Sequence, residues 1–190
     1  MNTTRRTMIL GASALVPLAL AGCGVVTTTT VNGVTTVTVN VATATADLAG
    51  LAAAAAIFVM LPGVGGLLGP SVATAVPLVI AKVNAAIPAL QQATGGTQTF
   101  SFTTASAPAF VGDLLGAVQK LTGDAAAVLP KIGSTGAAAN VSQYGQAVQS
   151  LGTAILALFG APVPVAASLG GAPRMSVPDA LALVGIKAPA

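Results

Sequence analysis

Apolar residues recur along this chain with two different periods, and each change of period marks a boundary between elements. From Val25 to Val41 valine and threonine dominate. Both are branched at Cβ, stiff at χ1 and suited to extended backbone. Asn32-Gly33 sits in the middle, the pair best suited to a type I′ hairpin turn because both central positions need positive φ. A two-residue turn there sets Val31 opposite Val34, Thr28 opposite Val37 and Val26 opposite Val39. Val37, Val39 and Val41 then share one face, with Thr36, Thr38 and Asn40 on the other. The other reading of the segment before Gly33 is a Thr-rich tether leading into the domain. A hairpin alone is marginal and needs a third strand or a packed helix. The natural partner of Val34 to Val41 is Thr97 to Thr103, where Phe100 and Phe102 alternate with Thr99, Ser101 and Thr103.

Elsewhere the period is that of a helix. Asp47 is placed to cap a helix through Leu48 to Leu61, with Ala52 to Ala56 as strong helix formers and Pro62-Gly63 as its end. A glycine-rich turn follows, and Ser71 opens a second helix to about Thr94. Its stripe is Val72, Val76, Val79, Ile80, Val83, Ile87 and Leu90, with Lys82, Gln91 and Gln92 off it. Pro77 and Pro88 are expected to kink or shorten it. A third helix spans about Pro108 to Leu121 on the stripe Phe110, Leu114, Val118 and Leu121, and a separate short piece follows from Asp124 to Leu129.

The fourth helix is the most regular: Val141, Tyr144, Val148, Leu151, Ile155 and Leu158 against Asn140, Gln143, Gln146 and Gln149. Ser176-Val177-Pro178-Asp179 reads as a capping box before a short C-terminal helix, Ala180 to about Ile186. The expected fold is α+β and mainly helical, about four packed helices with a small antiparallel sheet made of the N-terminal hairpin and one later strand.

The apolar run from Met8 to Leu20 belongs to neither pattern. It follows Thr4-Arg5-Arg6 and ends in Leu20-Ala21-Gly22-Cys23, the charged-then-hydrophobic order of an export signal rather than of a folded element. The four residues ending in Cys23 resemble the bacterial lipobox, and Arg5-Arg6 followed by Thr7-Met8-Ile9 resembles a twin-arginine signal. Paired arginines also charge ordinary secretory signals, so the export route has two readings. With Asn32 to Val41 and the helix-rich remainder, the chain resembles a group of uncharacterised bacterial lipoproteins. The resemblance implies removal of Met1 to Gly22, a thioether-linked diacylglycerol on Cys23 and acylation of the new amino terminus. It implies no activity and no functional residue beyond Cys23. The plainer reading of Cys23 is a small core residue or an unpaired thiol. The expected organisation is a signal over residues 1–22, the lipidated cysteine and tether or first strand over 23–33, a helix-rich core over 34–160, and a Pro/Gly-rich connector with the C-terminal helix over 161–190.

Cleavage changes the charge. The whole chain has 7 Lys+Arg and 4 Asp+Glu, but Arg5 and Arg6 leave with the signal, so five cations face four acids. The remaining cations, Lys82, Lys120, Lys131, Arg174 and Lys187, are scattered without interleaved aromatics, which gives no footprint for nucleic acid. The composition is 54% hydrophobic and 6% charged, which excludes disorder through charge. It leaves a choice between an apolar tethered domain and a chain that enters the bilayer. No charge lies between Asp47 and Lys82 or between Lys131 and Arg174, and both intervals exceed the ~20 residues that span a hydrocarbon core. The first is broken by Pro62, Gly63, Gly65, Gly66, Gly69 and Pro70, and the second opens with a glutamine-rich face. Both features favour the tethered domain.

Histidine and glutamate are absent, and the carboxylates are Asp47, Asp113, Asp124 and Asp179. That composition removes most metal sites and the usual general base of serine and cysteine hydrolases. A serine–lysine dyad through Lys82, Lys120 or Lys131 is the remaining catalytic reading, although no serine sits in a nucleophile motif. Asp124 and Asp179 are placed near helix N-termini, where a carboxylate complements the macrodipole. The expectation is a non-enzymatic lipoprotein of the bacterial cell envelope, without cofactor or metal. Lipid on Cys23 holds it to a membrane, and it acts through a protein partner or by self-association. A membrane-inserting, holin-like or pore-like protein is the alternative.

Overall fold

A computed structural model describes residues 27–31, 33–132, 136–161 and 175–189. The fold is α+β and mainly helical. Strands β1 (Thr27–Val31) and β2 (Val34–Asn40) form the hairpin, and β3 (Thr99–Thr103) joins the far edge of β2. All pairing is antiparallel, in the order β1-β2-β3. Val31 lies opposite Val34 and Thr28 opposite Val37, the register set by a two-residue turn. Gly33 has φ 78°, a conformation that suits glycine. Val25 and Val26 lie outside the described residues.

Four long helices, α1 (Val41–Met60), α3 (Pro70–Thr94), α4 (Ala109–Val128) and α5 (Gly136–Leu158), make the bundle. α1 packs on α3 and α5, and α4 packs on the same two, so the four form a closed ring. The ring encloses Leu48, Leu51, Val83, Leu90, Leu114, Val118, Leu151 and Ile155, all 3% exposed or less. The inward face of the sheet, Val37, Val39, Phe100 and Phe102, closes one end of the bundle, where Phe102 meets Phe159 and Phe100 meets Phe110.

Several boundaries differ from expectation. The first helix begins at Val41 rather than after Asp47, because Asn40 Oδ1 accepts the Thr43 amide at 3.0 Å and supplies the cap. Val41 is therefore the first helical residue and not the end of a strand face, and Asp47 lies inside the helix. The glycine-rich turn holds a short helix, α2 (Val64–Leu68). Pro77 and Pro88 do not shorten α3. Both lie on its exposed side, where water can satisfy the carbonyls they leave free.

Asp124 does not start a new helix, since α4 runs unbroken through Gly123 to Val128. Thr122, Ala125 and Val128 are buried there, and their packing outweighs the low helix propensity of glycine. The last helix, α6 (Val177–Leu183), starts three residues earlier than expected, with Pro178 in its first turn. Its cap is as expected. Ser176 Oγ accepts the Asp179 amide at 3.3 Å and donates to the Asp179 carboxylate. α6 lies on α5 and α1 and shares their core through Ala180 and Leu181.

Candidate functional site

The charged side chains of so apolar a chain are the natural place to look for chemistry. On the outer side of the bundle α3 and α4 enclose an open groove of about 400 Å³ lined by Leu78, Val79 and Lys82 from α3 and by Gly112, Asp113 and Gly116 from α4, among others. α4 turns its stripe Leu114, Val118 and Leu121 into the core, so residues 112, 113, 116 and 120 face outward. Gly112 and Gly116 leave the floor bare: a Cβ on either would meet no atom within 4 Å.

Lys82 reaches across the mouth to within 3.9 Å of Asp113, both largely exposed. Lys120 binds Asp124 at 3.0 Å, one helical turn on. Asp124 thus acts as the partner of a lysine rather than as a helix-start carboxylate, in a half-buried pair one turn apart of the kind that contributes about 0.5 kcal/mol.

None of the groove's lining residues is a serine or a threonine. The serines bond elsewhere: Ser101 with Thr38, Ser106 with Thr103, Gln146 with Ser142, and Ser150 with the Met175 carbonyl. Among the described residues no hydrogen bond joins a serine to a lysine. Lys131 lies exposed on the short turn after α4, and Lys187 lies exposed beyond α6. Among the described residues no three His, Cys, Asp or Glu side chains gather to hold a metal ion. Tyr144 is half-buried on α5 and packs against the core.

A second unusual group is Asp47. It is 2% exposed, and its Oδ1 has no hydrogen-bond partner. Burial pushes its carboxyl up from 3.8 to about 6, since the charged form loses water without gaining a partner. Below about pH 6 it is held as the neutral carboxyl, the form that burial tolerates.

The expected signal and lipidation residues, Arg5, Arg6, Leu20, Ala21, Gly22 and Cys23, lie outside the described residues. The first described element, β1, begins at Thr27, and its five residues are all exposed. Sequence reasoning missed the groove and the burial of Asp47. The signal for the groove was present: Gly112, Gly116 and Lys120 recur at four-residue spacing in a helix whose core stripe lies elsewhere.

Comparison with protein-family models, with curated proteins and with solved structures finds no match to this chain.

Proposed function

We propose that the mature protein is a non-enzymatic lipoprotein of the bacterial cell envelope, held to a membrane by lipid on Cys23 and acting through protein contacts. The lipobox-like Leu20-Ala21-Gly22-Cys23 at the end of an apolar run carries the reading. Two acyl chains or more on one residue give stable anchoring to a bilayer, at about 0.8 kcal/mol for each buried methylene. Three residues lie between Cys23 and Thr27, where β1 begins, and that length of chain spans at most about 14 Å. The anchor thus sets the sheet end of the bundle against the membrane, with the loop after Met60 at the far end.

The bundle supports a tethered domain over an inserted one. α1, the most apolar helix, has 56% of its apolar stretch buried inside the protein and packs on α3 and α5. A core helix is expected to do this. Intact mass and detergent partition of wild type and Cys23→Ser test the anchor. A full-length, unacylated wild type in the aqueous phase would sink it. Dye release from liposomes by residues 24–190 would support insertion instead.

A further inference from the structure

We infer that the outer face of α3 and α4 is where two copies of this chain pack on one another. The inference rests on the proposed role in protein contacts but not on lipidation of Cys23. α3 is the exceptional helix. Its stretch Thr74–Thr94 is apolar enough to cross a membrane, yet only 28% of it is buried, half the share found in α1. Pro77, Leu78, Ala81 and Ala85 point outward, and Leu78 is 69% exposed. Beside this ridge lies the floor of Gly112 and Gly116, open to any side chain that enters. Lys82, Asp113 and Lys120 line it, and Asp124 pairs with Lys120 one helical turn on. They are four of the eight charged residues among those described. Sparse charge gathered around an apolar groove is the layout of an interface, an apolar centre with a polar rim.

Size, charge and shape all identify a second copy as the occupant. α3 has 25 residues and is about 37 Å long. α4 beside it has 20 residues and is about 30 Å long; at about 10 Å width for each helix, the two present a face of roughly 650 Å², within the range of one partner's share of a standard interface. The rim is electrically balanced, two lysines against two aspartates, whereas an anionic lipid surface or a polyanion would be matched by an excess of cations. Lys82 and Asp113 pair within one chain at 3.9 Å; about a two-fold axis the two copies exchange these partners, so the face complements itself. The Leu78 ridge of each copy then fills the glycine floor of its neighbour. On the opposite side of the bundle the chain already fills the equivalent groove: α6 lies on α1 and α5, with Leu181 seated against Gly50.

Sedimentation velocity of the full chain in mild detergent, over a range of concentrations, tests the inference. The wild type is expected to form a dimer that dissociates on dilution. Gly116→Leu fills the floor from an open position. It should therefore keep the circular dichroism and thermal midpoint of the wild type while weakening the dimer about tenfold or more. Leu78→Gln, at a surface position, serves the same purpose if Gly116→Leu does not fold. Lys82→Asp and Asp113→Lys should each weaken the dimer, and an equimolar mixture of the two single variants, in which neither chain can form its own pair between positions 82 and 113, should restore association. A wild type that stays monomeric throughout overturns the inference, and so does a dimer indifferent to both groove variants or a mixture of the two charge variants that associates no better than either alone. Phase partition of the same sample reads the anchor separately. A dimer in the aqueous phase refutes the lipid and keeps the interface, and a monomer in the detergent phase does the converse.

Discussion

Gly152 of α5 lies so close to Thr122 of α4 that a methyl group on residue 152 would overlap Thr122 Cγ2. Thr122 is buried and held in place, because its Oγ1 donates to the carbonyls of Val118 and Gln119, each at 2.9 Å. The two helices meet here through the absence of a side chain. Gly152→Ala should destabilise the protein by about 1 to 3 kcal/mol, read from the midpoint of urea unfolding. Thr122→Ser removes Cγ2 and keeps the hydroxyl, so the double variant should recover most of that loss. Gly116→Ala, with nothing near its Cβ, should instead stabilise by about 0.5 to 1 kcal/mol through helix propensity.

Asp47 gives the protein a pH dependence of defined sign. Its carboxyl is raised to about 6 by burial, so the native state binds the proton more tightly than the unfolded chain does. Stability therefore falls as pH rises from about 4 to about 6, and the loss is complete above that window. Its size is on the order of 2 to 3 kcal/mol. Asp47→Asn should remove this contribution and be more stable than wild type at neutral pH. Urea unfolding of both proteins at either end of the window checks it; a stability difference that does not change with pH refutes it.

The sheet end depends on Phe100, whose ring lies 5.4 Å from that of Phe102 and 5.8 Å from that of Phe110. Phe100→Ala should cost about 3 to 5 kcal/mol. Phe100→Asp should cost more, because it adds an unpaired charge to a buried face. Ser101→Ala, on the outer face beside Thr38, should change stability by no more than about 0.5 kcal/mol. Thermal midpoints of the three variants decide whether the inward face of β3 is the buried one.

Asn40 joins β2 to α1 through its cap on the Thr43 amide. Asn40→Ala should cost about 1 kcal/mol, while Asn40→Asp or Asn40→Ser should preserve most of the stability. Equal losses in all three would show that the side chain is needed for something other than the cap.

What the sequence settled by itself was local. Asn32-Gly33 dictated the hairpin register through the geometry of a two-residue turn, and the alternation about Phe100 and Phe102 identified β3 and its buried face. The stripe of Val141, Val148, Leu151 and Ile155 did the same for α5. Each signal lies within a few residues, the range over which backbone geometry and side-chain period act.

Tertiary packing decided the rest. Asn40 and Asp47 are both good caps; the sheet chose Asn40, because pairing with β3 holds the chain extended up to that residue and Val41 then donates to the Gln98 carbonyl. Gly123 weakens a helix taken in isolation, yet Thr122 and Ala125 are carried across it by contact with the core. Asp47 became a buried carboxyl, and Gly112 and Gly116 an open floor, only when distant helices were set around them. Burial and empty space are properties of neighbours far apart in the chain, and no local period records them.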